Sequence, residues 1–344
     1  RMRKPKLIYY NDARHYSLYR YDPPMSEHQL RQPVDEILGT GVDTIAFGLA
    51  SGQTFFHDTK AGVRWGEGVD DHNHGVMWWR AAENARLALE AGLDPLRVVA
   101  DRAREKGIQL LCSMRMNDAS VDDNRYMMSR LKREHPEVMI GGGDARAATA
   151  ENYELDLVRE TRLELIDEVL GYGPDGLEMD PYIDVFFDPS RARECGPILT
   201  DFVREVRRLC DRRGEEQGRR LCLATRVHPL EEANLAAGMD VRAWMREGYV
   251  DLVVVRPEGM LFSPELAMDW VLETAAESGT WVYAPTGREP YDDRHHAPTI
   301  QMYRAAAANF VAMGVDGLYL SDLGWPLGLE EYQVLRELGD PEIY

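Results

Sequence analysis

Cysteine is scarce in this chain: Cys112, Cys195, Cys210 and Cys222 are the four in 344 residues, and none has C-x-x-C spacing. That argues against a disulfide scaffold and against a thiolate zinc site. Cys112 and Cys222 lie inside apolar runs and read as small core residues. Positive charge is also short, with 40 Lys and Arg against 59 Asp and Glu, a net charge of −19. A surface that tracks phosphates needs the opposite balance, so nucleic acid is not an expected partner. No window approaches the roughly 20 apolar residues of a membrane span. No G-x-G-x-x-G follows the first apolar run, which removes the main signal for a dinucleotide-binding open sheet. The opening "RMRKPKLIYYND" passes directly into a strand pattern. A soluble protein is expected, cytoplasmic or exported with its signal already removed.

What the chain has is a repeat of short β-branched or apolar runs separated by amphipathic segments. The runs are "KLIYYND" (6–12), "VDTIAFGLA" (42–50), "GIQLLCSMR" (107–115), "DGLEMD" (175–180), "RLCLATRV" (220–227), "VDLVVVRP" (250–257), "TWVYAPTG" (280–287) and "VDGLYLSD" (315–322). Between them, segments such as "NYELDLVRETRLELIDEVLGYG" show a helical stripe of Leu155, Val158, Leu163, Ile166, Val169 and Leu170. Several segments end in Gly just before the next run, as in "REKGIQL" and "AMGVDGL", the expected left-handed helix stop. Eight strands alternating with helices predict a single (β/α)₈ TIM barrel over 1–344, with no second domain. A doubly wound open sheet is the alternative. Two connections, 51–77 and about 116–150, are longer than a barrel requires. They follow the second and third strands, on the side where this fold carries function.

The residue types at the strand ends concentrate chemistry at one end of such a barrel. They are Asn11 and Asp12, then Arg115, Asn117 and Asp118, then Glu178 and Asp180, Arg226 and His228, Arg256 and Glu258, Arg288, and Asp322 and Trp325. In "DGLEMD", Glu178 and Asp180 share one face of a strand, because side chains alternate. Two buried carboxylates are costly unless paired or used. One reading is a pair for glycoside hydrolysis, one carboxyl donating a proton and another acting as base or nucleophile. The other is an ion-pair network that closes the barrel with Arg115, Arg226 and Arg256. The same arginines would orient an anionic group of a substrate. Trp65, Trp325, Tyr182 and Tyr10 are candidates for flat surfaces on which sugar rings pack. The clusters "DDHNH" (70–74) and "RHH" (294–296) are weak as metal sites, since a site needs ligands converging with defined geometry and these are loop clusters of mixed residues.

The stretches "EHPEVMIGG", "VRETRLELIDEVLGYGPDGLEMD" and "MYRAAAANFVAMGVDGLYLSDLGWP", with "RMND" and "YYND", resemble the glycoside hydrolase family 10-like group of bacterial TIM-barrel proteins. Within that group the chain is most similar to the inverting TIM-barrel sialidases. The resemblance implies an exo-acting enzyme with an Asp ending strand one, which Asp12 matches, and a His in the loop after strand three. That His has no counterpart: two positions after Asp118 stands Ser120, and the loop offers Asp122 and Asp123.

The expectation is a glycosidase without cofactor or metal, cleaving an acidic (sialic or uronic) or otherwise decorated carbohydrate. Asp12 is the general acid and Asp180 or Glu178 the opposing carboxylate, with Asp118 an alternative base. Arg115, Arg226 and Arg256 would hold an anionic group, Asn117, His228 and Asp322 would bond hydroxyls, and Trp325 would pack on a ring. Two rivals are a metal-dependent lyase or isomerase using Glu178, Asp180, Asp322 and His228, and a non-catalytic carbohydrate-binding barrel. Oligomeric state is not readable from the sequence.

Overall fold

The computed structural model describes residues 3–13, 20–51, 53–69, 75–117, 126–142, 147–256, 262–286, 297–321, 323 and 326–343. Each of the eight predicted runs forms a strand: β1 (Leu7–Asp12), β2 (Thr44–Gly48), β3 (Gln109–Arg115), β4 (Gly176–Asp180), β5 (Cys222–Val227), β6 (Leu252–Val255), β7 (Trp281–Thr286) and β8 (Gly317–Leu320). All eight pair in parallel, each with its neighbours in sequence, and β1 pairs with β8 to close the barrel. This is the (β/α)₈ architecture expected from the alternation.

Closure follows from the composition of the strands. Their residues are buried on both faces, so the runs are mostly apolar at both parities, with polar residues gathered toward their C-terminal ends. Inward-facing Ile8, Ala46, Leu111, Cys222, Ala224, Leu252, Val254, Tyr283 and Tyr319 fill the barrel. The opposite parity, including Leu7, Tyr9, Ile45, Leu110, Leu177, Leu223 and Val253, packs outward beneath the helices. Each fully buried Leu, Ile or Val contributes about 1.5–3 kcal/mol. Tyr283 lies so close to β8 that a Cβ at Gly317 would stand 2.5 Å from its ring, so that position excludes any side chain. Helix Pro95–Lys106 is capped by Asp94, whose carboxylate accepts from the N–H groups of Leu96 and Arg97, and it ends at Gly107 with φ +69°, a conformation natural to glycine. All four cysteines are buried and unbridged.

The long connection after β2 carries a small three-stranded sheet of Ala50–Ser51, Thr54–Phe55 and Val63–Arg64. Glu168, on helix Asp156–Leu170, ties this connection down. Its carboxylate accepts from the backbone N–H of Lys60 at 2.6 Å and of Ala61 at 2.9 Å, and contacts His57 Nε2 at 3.3 Å. Burial raises its pKa, but hydrogen bonds from His57, Thr59 and the backbone more than offset this, bringing it from the ordinary 4.5 down to about 2. A depressed carboxyl stabilises the fold above its unfolded pKa and loses that contribution as pH falls through the folded value. Solvent screening at this half-buried carboxylate reduces the full equivalent of the shift to about 1–2 kcal/mol at neutral pH. Glu168→Gln is therefore expected to lower stability by up to about that amount at pH 7, with the difference shrinking between pH 4.5 and 2. Urea unfolding of both proteins across that range measures it, and a pH-independent difference would refute the assignment.

Candidate active site

Strand parity sets the site. On β1, Ile8 faces inward with Tyr10, and by the same alternation Asp12; Asn11 turns outward, its amide meeting Glu36 at 3.5 Å. The corresponding inward residues near the other strand ends are Ser113 and Arg115, Glu178 and Asp180, Arg226, Arg256 and Tyr319. Register brings Arg115 beside Asp180, Ser113 beside Glu178 and Asp12 beside Gly48. A Cβ at Gly48 would sit 2.9 Å from the Tyr10 hydroxyl, so a glycine there is what lets that hydroxyl cross β2.

Glu178 lies deepest and is 0% exposed. Its Oε1 accepts from Ser113 Oγ at 2.6 Å, from Arg226 Nε at 3.1 Å and Nη2 at 2.9 Å, and from the Tyr319 hydroxyl at 3.0 Å. Its Oε2 is buried with no hydrogen-bond partner among the described residues. The Arg226 guanidinium also reaches Asp180 Oδ2 from Nη1 at 3.5 Å and donates to the Tyr319 hydroxyl at 2.6 Å. It lies 4.3 Å from the Tyr10 ring centre and 5.1 Å from that of Tyr319, within cation–π range of both. Burial opposes its charge, but Asp180 and Glu178 win, and its pKa rises well above the ordinary value. The two acids on one strand face are therefore tolerated because a stacked, permanently charged guanidinium lies across both.

One residue step nearer the mouth, polar groups converge on Tyr10. Burial and then the Asp12 carboxylate raise the pKa of its hydroxyl, against the pull of Arg226 and Arg115, with Asp180 adding to the rise. Asp12 is 8% exposed and Asp180 2%. Arg115 stacks over Tyr182 at 4.2 Å, and Tyr182 stands well out in solvent. Beside this group is a second one. His228 Nε2 lies 2.6 Å from Asp184 Oδ2, and Arg256 Nη2 lies 3.4 Å from the same oxygen and 3.1 Å from His228 Nε2. Burial raises the Asp184 pKa, but His228 and Arg256 more than offset it and hold the carboxyl below its usual range.

The structure thus brings together Asp12, Glu178, Asp180, Arg115 and Arg226, and groups His228 with Arg256. Asn117 does not join them. It is fully buried, its amide donates to the carbonyls of Glu151 at 2.8 Å and Val185 at 2.6 Å, and its Oδ1 accepts from the Glu151 N–H at 3.1 Å. Contrary to the expectation of a hydroxyl contact, its side chain staples two loop backbones. Trp65 is likewise a core residue, 2% exposed and stacked on Trp78 at 5.0 Å. Asp118, Asp322 and Trp325, with Glu258, Arg288 and the clusters at 70–74 and 294–296, lie outside the described residues. Of the set Glu178, Asp180, Asp322 and His228, Glu178 accepts from Ser113, Arg226 and Tyr319 through Oε1, His228 faces Asp184, and Asp322 lies outside the described residues; no group of three candidate metal ligands occurs among the described residues.

Three participants were missed in the sequence. Ser113 had a signal, since it shares strand parity with Arg115; Tyr319 was missed because the candidate named on its strand, Asp322, has the opposite parity. Asp184 had none, because it follows the strand in an irregular turn.

No protein-family model matches the chain, and no curated protein matches it in sequence. Solved structures do match in fold. The PgaB (BpsB) glycoside hydrolase domain from Bordetella bronchiseptica aligns with a TM-score of 0.59 at 10% identity, covering 97% of this chain and 98% of that one. The C-terminal domain of a chitinase-like protein from Desulfitobacterium hafniense gives 0.57 at 12%, covering 99% and 100%. An α-galactosidase from Thermus thermophilus gives 0.51 at 16%, covering 98% of this chain and 62% of that one. At such identities the likeness establishes the TIM-barrel fold, a fold shared with these glycoside hydrolases, and nothing finer.

Proposed function

We propose that this barrel is a glycoside hydrolase whose reaction takes place at the mouth, between Asp12 and Asp180. The observation that carries the reading is the convergence of two near-buried carboxylates from β1 and β4 on Tyr10, with Arg115 and Arg226 beside them. Carboxylates on either side of a cleft are the equipment of glycosidic cleavage. Asp12 gives its proton to the glycosidic oxygen as the C–O bond breaks. Asp180 takes a proton from the water that adds to the anomeric carbon, or faces the oxocarbenium-like centre as its counter-charge. Tyr10 and the Tyr182–Arg115 stack supply apolar faces for a ring. Glu178, held by Ser113, Arg226 and Tyr319, is a positioning residue that fixes the guanidinium.

The finer reading is an exo-acting enzyme on an acidic glycan, closest to a sialidase. Its support is the presence of further cations at the mouth, Arg115 over Tyr182 and Arg256 beside Asp184, in addition to Arg226 between Glu178 and Asp180. The solved structures alike in fold include a chitinase, an N-acetylglucosaminidase and an α-galactosidase, so neutral sugars belong in the same test. Purified protein is to be assayed for aryl release from sialosides, uronides, galactosides and N-acetylglucosaminides, with and without chelator. Release of an acidic sugar unaffected by chelator is the expected result. Release of neutral sugars alone would overturn the acidic-substrate reading while keeping the hydrolase. Loss of release on chelation would point to the metal enzyme.

A further inference from the structure

Tyr10 and Tyr319 lie against the same guanidinium with their ring centres 6.4 Å apart, but their hydroxyls are in different situations. The Tyr319 hydroxyl is satisfied on both sides, accepting from Arg226 Nη2 at 2.6 Å and donating to Glu178 Oε1 at 3.0 Å. The Tyr10 hydroxyl has no hydrogen-bond partner among the described residues, and unlike Glu178 Oε2 it is not sealed from water. Gly48 shows where it points. Ala46 fills the barrel, and Gly48, at the end of β2, has the same parity, so a side chain there would project inward at the mouth. The Tyr10 hydroxyl takes that space, 2.9 Å from where the Cβ would stand, on the rung that pairs Gly48 with Asp12 on one side and Ser113 on the other.

We infer that Tyr10 is a further catalytic residue of the hydrolase proposed above: its hydroxyl donates a hydrogen bond to an oxygen of the sugar whose bond is cleaved, and Gly48 is the positioning residue that gives it room. The inference rests on that reading of the mouth. Asp12 and Asp180 flank the glycosidic bond in it, and both act on the Tyr10 phenol, as do Arg115 and Arg226. An oxygen reached from this position therefore belongs to the reacting sugar and not to a distant one. Burial and then Asp12 raise the phenol's pKa against the two arginines, so it keeps its proton and remains a donor. Once a sugar displaces water from the mouth, a phenol left without an acceptor would cost its desolvation, and hydroxyl or carboxylate oxygens of the sugar supply the acceptor. The ring itself is already held against Arg226, so the donor is fixed in place before substrate arrives.

The test is a cycle of wild type, Tyr10→Phe, Gly48→Ala and the double variant, assayed on the aryl glycoside of the release panel that the wild type cleaves fastest, with thermal unfolding of each protein. Tyr10→Phe keeps the ring against Arg226, so unfolding should match wild type while kcat/KM falls about 10–100-fold, the loss of one hydrogen bond to the reacting sugar. Gly48→Ala puts a methyl 2.9 Å from the hydroxyl, with the other neighbours at 3.3 Å or more, and should bring a similar fall by displacing it. Where the hydroxyl is already absent, Gly48→Ala should cost little beyond Tyr10→Phe. Wild-type kcat/KM in Tyr10→Phe, or losses that multiply in the double variant, would overturn the inference and leave the hydrolase standing. A lowered unfolding temperature for Tyr10→Phe would make the hydroxyl structural and overturn it as well. No release by the wild type on any glycoside would remove the hydrolase reading and this inference together.

Discussion

Asp12→Asn is expected to lower kcat by about 10²–10⁴-fold, the contribution of a positioned general acid, with KM and thermal unfolding close to wild type. Asp12 ends β1 at the mouth with 8% exposure, so an amide of the same shape fits the same space but carries no transferable proton. The effect should be smaller on substrates with good leaving groups, because a nitrophenolate departs without protonation whereas an alcohol does not. Steady-state kinetics on an activated and an unactivated glycoside separate these cases. A uniform fall on both would assign Asp12 to binding or positioning instead.

Arg226→Met should give the largest loss of stability of any single change at the site. The guanidinium is the cation that Glu178 and Asp180 share, and Glu178 has no access to water. Removing one partner of a buried ion pair leaves an uncompensated charge and typically costs about 3–5 kcal/mol. Arg226→Lys should not restore it, since an ammonium cannot donate from three nitrogens while lying against the Tyr10 and Tyr319 rings. Adding Glu178→Gln to Arg226→Met should recover a substantial part, because the pair is then removed together. Denaturant unfolding of Arg226→Met, Glu178→Gln and the double variant measures the cycle, with Arg226→Lys as the fourth protein. A cost below about 1 kcal/mol for Arg226→Met would mean that the network is wetter than its geometry indicates.

The fold was legible because its signals are local and repeated. "DGLEMD" and "VDGLYLSD" announce strands by composition, and Gly107 and Gly314 end helices where the left-handed turn requires them. Strand parity put Glu178 and Asp180 on one face, and residue type at the strand ends put Asp12, Arg115 and Arg226 at the same end of the barrel. What parity could not reveal is which charge meets which. Arg226 reaches back past Ala224, the registered neighbour of Glu178, and that depends on side-chain direction and the depth of the barrel. Asn117 was misread for a related reason: it lies past the end of β3, where alternation no longer says which way a side chain points.

The apolar stripe of helix Asp156–Leu170 was read without Arg162, yet Arg162 is buried and Leu163 only half-buried. Spacing held the clue, because 158, 162 and 166 lie four apart on one face. A charged residue is easily assigned to solvent when its partner, here Glu151, is remote in kind and lies in a loop. Asp184 shows the same limit. Its contacts with His228 and Arg256 join three separate barrel segments, and nothing in "DPYIDVFF" distinguishes it from a turn residue.

The central claim is that a glycosidic bond is cleaved between Asp12 and Asp180. The most direct measurement is sugar release by wild type and by the Asp12→Asn/Asp180→Asn double variant, side by side on the glycoside panel, with circular dichroism confirming that both are folded. The account predicts release by the wild type and none above the uncatalysed rate by the folded double variant. Equal release by the two would place the chemistry elsewhere, and no release by the wild type on any glycoside would identify the barrel as a binding protein.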